Sequence, residues 1–324
     1  MPSRAALHSF AAAAVRRCKP RKLAWRQNVA DCEPVRSWFV IPAMGVVCGA
    51  AAVALGMTPA VALSGAALAG VVRVLAGDSP AALTGSVLAP LLAVASFAES
   101  GGEPLGAALA LAAAGWTVIE LARPPGASTS PLVAVLPAAI AGLLDPSFVA
   151  LVAIAGARLV TLPWQRPRWV LAVPVAGSLA VVLAVVAGAA WPALGAAWFG
   201  AAAHPVAPRS LAALAGVALG PITAVAALAG IASLARPRHA ELAVVAAIAG
   251  AVLVDLRGGT VGPTTIGLAA LLSGLAIVRL AGAIRLPVGQ AIAGATISVL
   301  IVVPPAWTAV EQRSRAAHTG HASR

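Results

Sequence analysis

From Trp38 to Trp307 the chain runs through stretches of Ala, Val, Leu and Gly, without the apolar/polar alternation of half-buried strands. Short intervals of Pro, Gly and single Arg cut these stretches apart. A bilayer interior offers no water to backbone amides, so only helices and closed barrels cross it. Long apolar runs without alternation select helices. The expected fold is all-α, a polytopic integral membrane helical bundle of about 10–12 short transmembrane helices, several interrupted by Pro or Gly.

A span takes roughly 20 apolar residues. Breaks at Pro, Gly and charge place candidates at 38–57, 60–76, 80–98, 104–122, 131–144, 147–163, 169–190, 211–235, 240–256, 264–284 and 287–306, with a short, doubtful one at 192–206. The remainder gives the domain plan: a basic tail over 1–36, a transmembrane domain over 37–307, and a polar tail over 308–324 expected to be disordered. Trp38, Trp164, Trp169, Trp191 and Trp307 fall at run ends, where an amphipathic indole sits well at the membrane–water boundary.

Composition excludes a water-soluble core. The chain is 60% hydrophobic and 10% charged, against roughly 25% charged in soluble domains. A net charge of +12 raises the question of nucleic acid, but its distribution argues against that partner. Arg4, Arg16, Arg17, Lys19, Arg21, Lys22, Arg26 and Arg36 precede the first apolar run, and most other arginines stand singly at run ends. Positive charge retained in the cytoplasm during insertion leaves this pattern. The N-terminal tail is therefore expected to be cytoplasmic, at a cell (plasma or inner) membrane, and to meet anionic lipid head groups. Its Ala- and Arg-rich, acid-poor first 30 residues also match an organelle transit peptide. Abundant Ala, Arg and Gly with no Tyr suggests a GC-rich, bacterial source. Cys18, Cys32 and Cys48 have no metal-ligand spacing and imply no disulfide framework. Neither a metal nor a cofactor is expected.

Arginines also test orientation. With the N-terminus inside, Arg73, Arg123, Arg166 and Arg168 fall inside, while the Glu99–Glu103 loop and Asp145 fall outside. The second half does not sort. Counting 192–206 as a span puts Arg209, Arg257, Arg313 and Arg315 inside and Arg236, Arg238, Arg279 and Arg285 outside; omitting it exchanges the groups. Twelve spans with both termini inside is the slightly favoured arrangement.

An ionisable residue within a span is a candidate site by default. Arg73, Arg158 and Arg279 lie close enough to run ends to snorkel. Glu120 and Arg123 have the spacing of a helix-end ion pair, and Asp145 before Pro146 that of an N-cap. The stretch from Asp255 through Arg257 to Thr264 and Thr265 carries three glycines. It suggests a tight turn into a helix N-terminus, able either to receive an anion or simply to cap the helix. Pro221, with Thr223, interrupts the run 211–235, as in the broken helices of transporter sites. Gln290 is a further weak candidate. Asp255, Arg257, Thr264, Thr265, Pro221, Thr223 and Gln290 form the candidate substrate-binding set; Glu120, Arg123 and Asp145 are structural or ion-pair candidates.

Segments such as Ala138–Gly142 and Ala246–Gly250 resemble one another, but Ala-rich sequence produces such matches cheaply. The leading functional reading is a transporter-like bundle for a small or amphipathic solute. It requires the Pro221 break and the Asp255–Thr265 turn to line one polar cavity. A membrane-embedded transferase acting on lipid-linked substrates would instead bring together two of Glu99, Glu103, Asp145 and Asp255. A non-enzymatic scaffold needs neither, and no catalytic residue is assigned.

Overall fold

A computed structural model describes residues 39–99, 105–123, 132–161, 220–234, 239–258 and 261–322. The chain divides into Met1–Trp38 and Phe39–Arg324, and all described residues belong to the second unit. They form α1 (Val40–Ala54), α2 (Val61–Ala76), α3 (Pro80–Glu99), α4 (Leu105–Ala122), α5 (Leu132–Leu144), a 3-10 turn at Pro146–Phe148, α6 (Val149–Thr161), α7 (Pro221–Ile231), α8 (His239–Gly258), α9 (Pro263–Gly282) and α10 (Pro287–Ala322). The architecture is the all-helical bundle that the apolar runs imply.

Local chemistry sets the helix boundaries. α3, α7, α9 and α10 begin at a proline, whose fixed φ suits the first turn and whose missing amide would have no partner there. α2 ends at Gly77, where φ is +78°, a conformation that glycine adopts without a Cβ clash. Five helical stretches are long and apolar enough to cross a membrane: Pro80–Ala98, Leu105–Ala122, His239–Leu256, Pro263–Gly282 and Pro287–Thr308. α1, α2, α5, α6 and α7 are apolar but shorter. The candidate spans 169–190 and 192–206 lie outside the described residues.

Pro221 starts α7 after Gly220, whose φ is +73°, so among the described residues a helix begins at the proline that divides the run 211–235. α10 continues to Ala322, so most of the stretch expected to be disordered is helical. Its Ala, Glu, Gln and Arg residues are good helix formers, and extending an existing helix avoids the cost of a new nucleus.

The core is assembled through small residues. α9 packs against α3, α7 and α10, while α2 packs against α1, α3 and α4. A Cβ on Gly85 would stand 2.5 Å from the Gly274 carbonyl oxygen, and one on Gly274 would stand 2.8 Å from that of Gly85. α3 and α9 thus touch backbone to backbone, as small residues permit between membrane helices. Phe97, Leu88, Leu92, Leu68 and Phe148 fill the widest interior positions. The spanning part of α10 is only 11% buried, which leaves most of its apolar surface to lipid.

Inter-helix contacts also fix direction. Gly45 lies against Ala66 and Gly49 against Ala62, so α1 and α2 are antiparallel. Ala67 meets Gly115 and Gly70 meets Ile119, so α2 and α4 run the same way. Arg158 donates to the Arg123 carbonyl, joining the end of α6 to that of α4. Gly267 meets Leu111, and the Thr264 hydroxyl reaches Asp145, so α9 starts at the opposite end. Arg73, Arg123, Arg158, Arg279 and Arg285 consequently share one end of the bundle, and Asp145 and Asp255 occupy the other. Among the described residues, α6 ends and α8 begins at the arginine end, and α10 runs from that end towards the one holding Asp145 and Asp255. Arg279 and Arg285 thus lie at the same end as Arg73 and Arg123.

Candidate functional site

Two carboxylates from separate segments come together at the end opposite Arg73, Arg123, Arg158, Arg279 and Arg285. Asp145 follows α5 and caps the next turn, its Oδ1 accepting from the Ser147 amide at 2.8 Å. Its Oδ2 accepts from the Thr264 hydroxyl, in the first turn of α9. Asp255, in the last turn of α8, accepts at Oδ1 from the Gly262 amide at 2.9 Å and at Oδ2 from the Thr265 hydroxyl at 2.6 Å. Consecutive threonines thus hold one carboxylate each, and the charge of Asp145 acts on Asp255. Asp255 is 5% exposed and Thr264 4%. Close backbone packing seats the pair: a Cβ on Gly250 would overlap the Ser147 carbonyl, pinning α8 to the Asp145 turn.

The remaining candidates lie elsewhere. The Thr223 carbonyl lies 3.5 Å from Ser273 Oγ, about 13 Å further along α9 from Thr264 at about 1.5 Å per residue. Pro221 and Thr223 therefore do not share a site with Asp255 and Thr265. Gln290 is in the first turn of α10, at the arginine end, where its Nε2 donates to the Ile284 carbonyl at 2.7 Å. The side chain of Arg257 lies outside the described residues. Glu120, 3% exposed, is 2.9 Å from Arg123 through Oε1. Arg158 is also buried beside this pair, where the charge of Glu120 acts on it.

Interior hydroxyls are satisfied within their own helices. Ser64 donates to Val61 at 2.9 Å, Ser86 to Leu83 at 2.7 Å, Thr117 to Ala113 at 3.0 Å and Ser273 to Ala269 at 2.9 Å. These bonds spend each hydroxyl's one proton, so none of these four has a donor left for a solute. Two features were missed in the sequence. Glu241, in the first turn of α8, is 8% exposed with Oε2 unpartnered. The pairing of Asp145 with Thr264 spans a long sequence separation that no motif marks.

The class defined by this fold is a helical multi-pass membrane protein. No family model, curated protein or solved structure matches the chain.

Proposed function

We propose that the chain is a transport-type bundle in which Asp145 and Asp255 handle a proton or small cation linked to solute movement, with the arginine end in the cytoplasm. The observation carrying this reading is the convergence of two carboxylates on Thr264 and Thr265. Neighbouring carboxylates attract a proton or a cation. The enclosure of Asp255 suits a small ion better than a bulky lipid-linked substrate. This reading departs from the single cavity expected between the Pro221 break and the Asp255–Thr265 turn: it rests on the two carboxylates and leaves out Pro221, Thr223 and Gln290.

Dicyclohexylcarbodiimide, which couples to protonated carboxyls in apolar surroundings, tests the pair in proteoliposomes. An adduct is expected on Asp145 or Asp255, decreasing as pH or sodium concentration rises. Asp255→Asn and Asp145→Asn, which keep an oxygen acceptor, should each reduce total labelling at the pair, because protonation of interacting carboxyls belongs to the pair and not to either residue. Absence of any adduct across acid and neutral pH would overturn the reading. The same convergence supports a second one, a membrane-embedded transferase using the pair as acid and base. Its sign is lost turnover in both Asn variants without any change in ion binding. A scaffold would leave both variants without effect.

A further inference from the structure

The turn joining α9 to α10 lies at the arginine end and is held in one shape by three hydrogen bonds. The Ile284 amide donates to the Ala281 carbonyl at 3.0 Å, and the Gln290 amide to the Leu286 carbonyl at 2.9 Å. The Gln290 side chain closes the turn through Nε2 to the Ile284 carbonyl at 2.7 Å. This rigid turn presents Arg285 between exposed apolar neighbours, with Leu286 and Val288 each 71% exposed. Arg285 has no hydrogen bond or ion pair among the described residues. Arg279, also exposed, is six residues before it and uses one donor on the Ala232 carbonyl at the end of α7.

We propose that this turn binds an anionic phospholipid: Ile284, Leu286 and Val288 enter the acyl layer, and Arg285 with Arg279 holds the phosphate. Exposed aliphatic side chains flanking an arginine are costly in water but fit the boundary between acyl chains and head groups. A guanidinium presents paired donors that match phosphate oxygens. Gln290 acts by positioning, since its amide fixes the carbonyl next to Arg285. The arginines gathered at this end supply charge complementarity to a leaflet rich in anionic lipid. The inference rests on the membrane reading and is independent of the Asp145–Asp255 pair.

The test is native mass spectrometry of the full chain in detergent with phosphatidylglycerol, phosphatidylcholine or inorganic phosphate. Phosphatidylglycerol should be retained preferentially, with affinity reduced about fivefold by Arg285→Ala and a similar amount by Arg279→Ala, the factor expected per basic residue. Arg285→Lys should recover most of the loss. Arg73→Gln removes a charge at the same end, from a residue already paired with Asp78, and should leave retention unchanged. Equal retention of phosphatidylcholine, an equal loss in Arg73→Gln, or full competition by inorganic phosphate would each overturn the proposal. A chain that remains monomeric and folded without detergent would remove the membrane reading itself, a separate failure.

Discussion

Gly85→Val and Gly274→Val are each expected to destabilise the bundle by about 3 kcal/mol, the upper part of the range for overpacking. At both positions the obstacle is backbone: a Cβ would meet the facing glycine's carbonyl oxygen at 2.5 Å from Gly85 and 2.8 Å from Gly274. A side chain could swing aside, but a helical carbonyl is fixed by its own hydrogen bond. α3 and α9 must therefore move apart, which opens the seam where Ala89 also faces Gly274. Gly156→Ala is the control, because a Cβ there meets nothing within 4 Å and alanine gains helix propensity of up to about 1 kcal/mol. Thermal unfolding midpoints in detergent should fall sharply for the two valine variants and hold or rise for Gly156→Ala. Equal midpoints across the set would mean that α3 and α9 do not touch in this way.

Reporter fusions should give all-or-none signals. A reporter active only in the cytoplasm is expected to work when fused after Asp78, in the turn where Arg73 and Asp78 pair. It should be silent after Leu144, beside Asp145, and silent again after Thr308. The physical cause is the cost of translocating arginines near span ends, which biases short loops rich in them towards the cytoplasm. Signal at both Asp78 and Thr308 would contradict the directions of α8, α9 and α10. Signal only at Leu144 would reverse the whole orientation.

Helix positions were largely legible in the sequence. The runs 60–76, 80–98, 104–122, 131–144 and 240–256 end within a few residues of α2, α3, α4, α5 and α8. Hydropathy and breakers are local properties, and prolines such as Pro80, Pro263 and Pro287 mark where a helix starts. Of the run 211–235 the described residues hold α7, which begins at Pro221. The tail beyond Thr308 was misread because its polarity suggested disorder, whereas its helix propensity prolongs α10.

The candidate site was legible only as separate residues. The Asp255–Thr265 stretch stood out for its glycines and threonines, with Pro221, Thr223 and Gln290 behind it, but Asp145 read only as an N-cap and nothing in the sequence joined it to Thr264. What the sequence alone determined is the solvent: its apolar runs require lipid, and the distance between breakers determines where each helix begins and ends. Tertiary structure decided which ends lie together, and hence that one end holds Arg73, Arg123, Arg158, Arg279 and Arg285 while the other joins Asp145 to Asp255. Helix direction depends on contacts such as Gly267 against Leu111 and Gly250 against Ser147. Those contacts arise from packing between distant segments, and in a chain this rich in Ala and Gly many pairings look alike until the backbones meet.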